Sequence, residues 1–498
     1  MTQQADPADS SRSLPHSLPP TPTGQLPVFA VVGHPNQGKS SVVSTLVQDD
    51  HIAVSPVSGT TRAAHQYRLM LGEDALYELV DTPGFQRPRQ VLDWCAARSE
   101  QAADRPRALA AFVAAHREEP RFADDCALLA PILSGAGIVY VVDADQPFDA
   151  AFEAELTLLS WSGQPRLALL NPMGRGDSEP GRYEASWRAA LQQYFSLVRV
   201  FNPLLAPFEQ HLALLRGMAE IHPPWRDGLL RGINALQQQR QARHQQAADQ
   251  LVDYLQTVLR LELQLPVSGP RDALHSTGLG QYNRELQHRE RHLQDTLTSL
   301  YGHRRLDWSG EWQALRSDDL TDAHEWRAWG LPRKKLASLS AGAGALGGLA
   351  VDAATGGTTF FLGALVGGAL GGLAGGFAGR HPLTFELVSR VPGYEMWQLG
   401  PVSSLEFATA LTGRALRTWY QVRVRNHARR DALLLAPQDL AHWLDGLPRK
   451  QQVQLLFWLR KLLKRGLDEA EKSQLQTLLL ALGEQMEMAE DSGYLQAR

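Results

Sequence analysis

The residues best suited to chemistry form a short loop, GHPNQGKS, which runs from Gly33 to Ser40. The loop follows an apolar run, PVFAVVG, and opens a stretch with helical character, SVVSTL. Its glycines let successive backbone N–H groups curl around a phosphate at the positive end of the following helix. In this spacing Lys39 reaches the β- and γ-phosphates, and the hydroxyl of Ser40 binds Mg²⁺. The pattern predicts a site for nucleotide phosphates formed by Gly33, Asn36, Gln37, Gly38, Lys39, Ser40 and Ser41.

Two further motifs fit the same chemistry. The sequence DTPG, from Asp81 to Gly84, ends the next strongly apolar strand. An acid there can hold Mg²⁺ through water, and the N–H of Gly84 can meet a γ-phosphate. Between the loop and DTPG lies SGTTR, where a threonine hydroxyl would complete the Mg²⁺ shell in the triphosphate state.

Together the three motifs resemble the Era-like branch of P-loop GTPases, which includes the tRNA-modification GTPase. The resemblance covers roughly residues 26–207. It implies binding of GTP and GDP with Mg²⁺, and slow hydrolysis in which Lys39, Thr61 and Gly84 act. It also implies that Thr61, in preference to Thr60, is a Mg²⁺ ligand beside Ser40 and Asp81, and that Asn36 helps to hold K⁺.

The sequence departs from this family at two places. Phe85 follows DTPG, where Ras-like relatives carry the glutamine that orients water. The guanine motif N-K-x-D reads NPMG, so that Asn171 is retained for nucleotide binding while Pro172 and Gly174 replace the lysine and the aspartate. Asp177 is the remaining candidate for the carboxylate that binds guanine, and it would reach the base from a differently built loop. The preference for guanine over adenine is therefore implied by the resemblance and not by these residues.

Apolar strands that alternate with amphipathic helices predict an α/β fold with a mostly parallel sheet and helices on both faces. The candidate strands are PVFAVVG, ALYELVD, GIVYVVDA, RLALLN and LVRVFN. A charged, helical stretch at about 86–133 predicts an insert. The expected organisation is a disordered tail (1–25), a P-loop GTPase domain (26–222), a helical region (223–330), a glycine-rich hairpin (331–380) and a mainly helical C-terminal domain (381–498).

The glycine-rich segment has an unusual composition. Residues 336–379 contain one charge, Asp352, and glycines recur every four residues from Gly363. Such a stripe is typical of membrane helix pairs, and the segment is long enough for two spans of about 20 residues. Basic flanks would keep both ends on the cytoplasmic side. A flexible linker or a buried soluble hairpin are the alternatives. GTPase domains followed by a glycine-rich hairpin resemble a bacterial family whose C-terminal region is uncharacterised.

Composition narrows the location and the partners. Two cysteines, Cys95 and Cys126, in 498 residues indicate a reducing compartment. We therefore expect a cytoplasmic protein held at the inner face of the cell membrane by residues 336–379, through lipid or a membrane protein. A net charge of -4 is near balance, so it does not indicate attraction of the whole molecule to nucleic acid or acidic lipid. The basic stretch RKQQVQLLFWLRKLLKRGL would lie on an anionic membrane, bind a partner, or pack its apolar face on its own domain.

Three hypotheses follow from the sequence. The first is a membrane-associated GTP-dependent switch with slow hydrolysis. The second is a soluble GTPase that acts on RNA, in tRNA modification or ribosome assembly. The third is a scaffold that binds nucleotide without hydrolysing it, which Phe85 and the altered guanine motif would permit.

Overall fold

The structure is a computed structural model of the 498-residue chain. It describes residues 26–48, 64–174, 180–266, 271–303, 306, 308, 383–389, 396–431, 433 and 447–496. The chain divides into two compact units, Met1–Gln238 and Gln239–Arg498.

The first unit contains a six-stranded sheet. Its strands are β1 (Val28–Val32), β2 (His65–Leu71), β3 (Asp74–Asp81), β4 (Gly137–Asp143), β5 (Arg166–Asn171) and β6 (Leu197–Val200). The spatial order is β2-β3-β1-β4-β5-β6, and every neighbouring pair is parallel except β2 with β3. The predicted α/β fold with a mostly parallel sheet is confirmed.

Helices cover both faces of this sheet. They are α1 (Lys39–Val47), α2 (Pro88–Ala96), α3 (Arg105–His116), α4 (Ala123–Leu133), α5 (Ala151–Trp161), α6 (Glu184–Leu191), α7 (Phe208–Ile221) and the first part of α8 (Arg226–Leu259). Alternate strand residues point to opposite faces. Ala30 and Tyr140 therefore belong to the core beneath α2–α6, whereas Phe29 and Val141 belong to the core beneath α1, α7 and α8.

Three helices fill the stretch between the DTPG motif and β4. They are α2, α3 and α4, and they occupy the region where the sequence predicts an insert at about 86–133. Leu109, Phe112 and Leu129 are fully buried in the core that also contains Ala30 of β1. The insert is therefore part of the core of the first unit.

The second unit combines helices with a small antiparallel sheet. It contains the rest of α8, then β7 (Leu263–Pro266), α9 (Arg271–Leu300), β8 (Leu383–Ser389), β9 (Met396–Val402), α10 (Leu405–Val424), α11 (Arg449–Lys464) and α12 (Glu469–Gln496). The sheet order is β7-β9-β8. One core joins residues of α8 and α9 to residues of α10–α12, and a buried ion pair links Arg414 to Glu290 at 2.9 Å.

The observed units differ from the sequence-based division at 223–330 and 381–498. The boundary between the units lies within α8, at Gln238. The helices of the predicted central region share their core with the C-terminal helices because each is apolar on one side only. Sequence periodicity identifies such faces without showing which of them meet.

The basic stretch near the C-terminus forms α11. Val453, Leu456 and Leu459 are buried in the core of the second unit. On its other side, Lys461 is ion-paired with Glu471, and Arg465 lies 2.6 Å from the same carboxylate. Of the alternatives for this helix, packing on its own unit is the one that the structure shows.

No helix in the described part of the chain combines the length and the apolarity needed to cross a membrane. The predicted membrane hairpin at 336–379 lies outside the described residues. So do the predicted disordered tail, Thr60, Thr61 and Asp177.

A buried histidine in α7 predicts a pH dependence of stability. His211 is 4% exposed, and its Nε2 lies 3.0 Å from the hydroxyl of Tyr77, which donates to the carbonyl of Leu46 at 2.5 Å. Burial lowers the pKa of His211 to about 4. The unfolded chain, with an ordinary histidine, binds a proton below about pH 6.5, so the free energy of unfolding falls as the pH falls from about 6.5 to about 4.

Between pH 7 and pH 4 we expect the free energy of unfolding to fall by about 3 kcal/mol more in the wild type than in the variant His211→Gln. This value follows from the lowered pKa of His211, at about 1.4 kcal/mol per pKa unit. Urea unfolding at several pH values measures this difference. The matched control is His65→Gln at an exposed position of β2. Parallel pH profiles for the wild type and His211→Gln would contradict the assignment.

Candidate phosphate-binding site

The glycine loop has a backbone that only particular residues adopt. Gly33, Asn36 and Gly38 have φ angles of 146°, 66° and 88°. Glycine reaches such angles freely and asparagine tolerates them better than other residues do. A Cβ at Gly33 would lie 2.2 Å from the carbonyl oxygen of Val141, and one at Gly38 would lie 2.4 Å from Nδ2 of Asn171. The glycines are therefore required by the close approach of neighbouring chain segments as well as by their conformation.

The lysine of the loop is held in place by the loop itself. Lys39 begins α1, is 8% exposed, and its Nζ donates to the carbonyls of Gly33 and His34, each at 3.0 Å. Burial lowers the pKa of Lys39, and the carboxylates of Asp81 and Glu155 oppose this effect. The amine is therefore held against the loop backbone, where the phosphates are predicted to bind.

Two side-chain oxygens that could bind a metal ion meet beside the lysine. Ser40 Oγ donates to Oδ2 of Asp81 at 2.7 Å. Asp81 ends β3, next to Val31 of β1, and the adjacent Thr82 hydroxyl donates to the carbonyl of Val31 at 2.8 Å. A hydroxyl and a carboxylate are ligands that suit Mg²⁺. The two predicted ligands Ser40 and Asp81 are therefore together, and their chemistry fits this ion.

The DTPG motif packs directly on the phosphate loop. A Cβ at Gly84 would lie 2.6 Å from Cδ of Pro35 and 3.0 Å from the carbonyl oxygen of Gly33. The next residue, Phe85, is 1% exposed and belongs to the core shared with Val91 and Leu129. The hydrophobic residue at this position is thus a core residue of the first unit.

Asn171 supports the loop from the end of β5. Its Nδ2 donates to the carbonyl of Gln37 at 3.0 Å, and its Oδ1 is buried without a hydrogen-bond partner among the described residues. The side chain of Gln37 points into the protein, since its Oε1 accepts from the N–H of Asp143. The structure therefore gives both predicted binding residues a role in holding the loop.

The segment after Asn171 is fastened by two side chains that the sequence analysis did not select. Asp145 accepts from the N–H of Gly174 at 2.6 Å and from that of Gly181 at 2.5 Å. Nδ2 of Asn202, in the segment after β6, donates to the carbonyl of Pro172 at 2.7 Å. Pro172 and Gly174 stand at the lysine and aspartate positions of the N-K-x-D pattern and offer no carboxylate there.

A second feature that the sequence analysis did not select involves the histidine of the loop, His34. Nδ1 of His34 lies 2.9 Å from Oε1 of Glu155 in α5, and the hydroxyl of Tyr140 donates to Oε2 of the same carboxylate at 3.0 Å. Glu155 is only 1% exposed. Its sequence context, FEAELTLL, is that of an ordinary amphipathic helix and gives no sign of this contact.

The structure thus brings the glycine loop, Asp81, Gly84 and Asn171 together at one edge of the sheet. Ser41 follows Ser40 in α1, and the loop residue Asn36 is exposed. Thr61, the third predicted Mg²⁺ ligand, lies outside the described residues. The roles of these residues toward nucleotide, Mg²⁺ and K⁺ stay predictions.

Known proteins resemble the first unit. Residues 28–170 match the family described as 50S ribosome-binding GTPase. GTPase Der of Streptococcus thermophilus (strain ATCC BAA-491 / LMD-9) is 33% identical over 81 residues, which are 16% of this chain and 19% of Der. Der of Lactococcus lactis subsp. cremoris (strain SK11) is 31% identical over the same shares of both chains. The chain therefore spans about a fifth of the length of these curated relatives.

The solved structures that match include Era in complex with MgGDPNP and nucleotides 1506–1542 of 16S ribosomal RNA. That match has 15% identity and a TM-score of 0.25, and it covers 36% of this chain and 51% of that chain. A variant of Aquifex aeolicus Era bound to GDP and AlF4⁻ matches with 17% identity and a TM-score of 0.23, over the same shares. The fold assignment itself rests on the strand order and the loop geometry described above.

A later and longer part of the chain matches a different family. Residues 188–484 match the family described as a domain of unknown function, DUF3482, and this range is more than half of the 498 residues. An Era- and Der-like P-loop domain at the N-terminus, followed by this second region, is the arrangement that the sequence resemblance implies. The protein belongs to the DUF3482 family.

Proposed function

We propose that this protein binds GTP and GDP with Mg²⁺, hydrolyses GTP slowly, and acts as a nucleotide-dependent switch. The observation that carries the proposal is the hydrogen bond from Ser40 to Asp81 at 2.7 Å, which joins the glycine loop to the DTPG motif. The loop also has the backbone shape that a phosphate site requires. The similarity of residues 28–170 to GTPases supports the choice of GTP.

The chemistry of the site follows from its charges. Lys39 offers an amine to the β- and γ-phosphates, and the loop amides offer hydrogen bonds to the same groups. Ser40, Asp81 and Thr61 would hold Mg²⁺, which when bound neutralises charge on the phosphates. Asn36 would take part in holding K⁺. Phe85 is buried and has no hydrogen-bonding group with which to orient water, so slow hydrolysis is expected.

The switch would act through the two loops that sense the γ-phosphate. One contains Thr61 and the other contains Gly84, whose backbone already lies against Pro35 of the phosphate loop. Gain or loss of the γ-phosphate would change the contacts of both loops, as in switches whose segments become ordered when the triphosphate binds. The second unit would receive this change.

The proposal includes association with a membrane through residues 336–379. Its support is the sequence pattern of apolar residues and repeated glycines in that segment. Flotation of the chain with phospholipid vesicles, compared with a variant that lacks 336–379, tests this part. Equal recovery of both proteins away from the vesicles would contradict it.

A ribosome-related function is the second candidate. It is favoured by the family description, 50S ribosome-binding GTPase, of the model that matches residues 28–170. Nucleotide-dependent co-sedimentation of the purified chain with ribosomes would favour it over the membrane-associated switch.

Phosphate release from GTP and from ATP tests the enzymatic part of the proposal. We expect release from GTP that requires Mg²⁺ and is faster in K⁺ than in Na⁺ buffer. Faster release from ATP than from GTP would contradict the proposed substrate. Tight binding of GTP without release of phosphate would favour the non-hydrolysing scaffold.

A further inference from the structure

A buried carboxylate in the insert holds the segment that follows DTPG. Oδ1 of Asp125, in the first turn of α4, accepts from the N–H of Gln86 at 3.1 Å and from that of Arg87 at 3.2 Å. Asp125 is 0% exposed, and it lies 39 and 38 residues along the chain from its two donors. The contact is therefore a tertiary one and not a local turn.

Burying this carboxylate is costly for the folded protein. Oδ2 of Asp125 has no hydrogen-bond partner among the described residues. Burial raises the pKa of Asp125, and the two backbone N–H groups oppose this effect. A buried, incompletely bonded carboxylate destabilises the fold. Its presence at this position therefore points to a role other than stability.

The segment that Asp125 holds is continuous with the predicted γ-phosphate sensor. Gly84 packs against Pro35 and Gly33 of the phosphate loop, Phe85 is buried in the core, and Gln86 and Arg87 donate to Asp125. Four consecutive residues are thus fixed at the phosphate loop, in the core and at α4. The position of the Gly84 amide depends on all three attachments.

We infer that Asp125 is a positioning residue that holds the Gly84 amide where a γ-phosphate is read, and that it couples this loop to the helical insert α2–α4. The inference rests on the proposed function of the site. Asp125 accepts hydrogen bonds from the backbone of Gln86 and Arg87, so the proposed influence on the nucleotide runs through residues 84–87.

The simpler alternative is a helix cap. Gln86 and Arg87 immediately precede α2, and a carboxylate near a helix N-terminus stabilises the helix whatever nucleotide is bound. The two roles differ in what they affect. A cap alone would influence stability and all nucleotides alike, whereas a positioning residue would influence the triphosphate in particular, since only the triphosphate has the γ-phosphate.

The test compares the affinities of the full chain for GDP and for the non-hydrolysable analogue GDPNP. For Asp125→Ala we expect an affinity for GDPNP about tenfold weaker than that of the wild type, as for a lost buried hydrogen bond, and an affinity for GDP within about twofold. Asp125→Asn retains an oxygen acceptor and should restore GDPNP binding to within about threefold. The matched control is Asp124→Ala, which removes a carboxylate from the same helical turn.

A second measurement uses the wild type alone, so that it does not depend on the folding of a variant. Hydrogen exchange of a peptide that covers residues 84–88 should be slow with both GDP and GDPNP, because Asp125 accepts from the amides of Gln86 and Arg87. Rapid exchange in both states, or equal losses of GDP and GDPNP affinity in Asp125→Ala, would overturn the inference and leave the proposed function intact. Failure of the wild type to bind either nucleotide would instead overturn the proposed function.

Discussion

Replacement of Lys39 by alanine should lower the rate of GTP hydrolysis about 1000-fold, as the loss of a preorganised charge at a transition state does elsewhere. The amine is buried and held by the carbonyls of Gly33 and His34, and the proposed function places it against the β- and γ-phosphates. Phosphate release with saturating GTP and Mg²⁺ measures the effect.

The control for this prediction is Lys450→Ala, which removes an exposed lysine at the start of α11. It should leave the rate unchanged. If Lys39→Ala retained hydrolysis within about threefold of the wild type, the proposed role of this amine at the β- and γ-phosphates would be wrong.

The second large effect is expected at Gly33. In the variant Gly33→Ala the new Cβ would lie 2.2 Å from the carbonyl oxygen of Val141, at a φ of 146° that side chains rarely adopt. The start of the loop must then move away from β4, and the ring of amides would lose its shape. We expect the affinities for GDP and GTP to fall together by about 100-fold or more, since several hydrogen bonds to phosphate depend on this shape.

Gly163→Ala provides the matched control for the Gly33 variant. Gly163 also has a positive φ, of 71°, but a Cβ there would meet nothing within 4 Å. The control should lose a little stability and no nucleotide affinity. Fluorescence titration with a labelled GDP compares the two variants, and equal affinities would show that the close approach to Val141 has no part in binding.

The parts of the site that lie close together in sequence could be predicted from it. GHPNQGKS is a local structure, because a strand, a curled backbone and a helix N-terminus follow one another within a few residues. DTPG and Asn171 could be placed because the ends of neighbouring parallel strands meet at one edge of a sheet. The positions of Asp81 and Asn171 follow from that rule.

The contacts between distant segments could not be predicted. Asp125, Glu155 and Asp145 are acidic residues whose partners lie 15 or more residues away, and nothing in their immediate context marks them. Their importance comes from burial, which appears only when the helices pack. The edge strand β2 was missed as well, since most of its side chains are exposed and it lacks an apolar run.

The second unit shows the same limit at a larger scale. Helical periodicity in α8 and α9 is evident in the sequence, but their core partners are on α10–α12, far along the chain. The strands β7, β8 and β9 are brief and come from both sides of a long intervening segment. Pairing of that kind is set by tertiary packing, which single-sequence patterns do not contain.

Calorimetric titration of the purified chain with GDP and with GTP, each in the presence of Mg²⁺, tests the central claim most directly. The account predicts saturable binding of one nucleotide per chain. Lys39→Ala should lower the affinity for both nucleotides, and removal of Mg²⁺ should lower the affinity for GTP more than the affinity for GDP. Absence of binding by the wild type for both nucleotides would contradict the claim that the loop from Gly33 to Ser40 is a phosphate site.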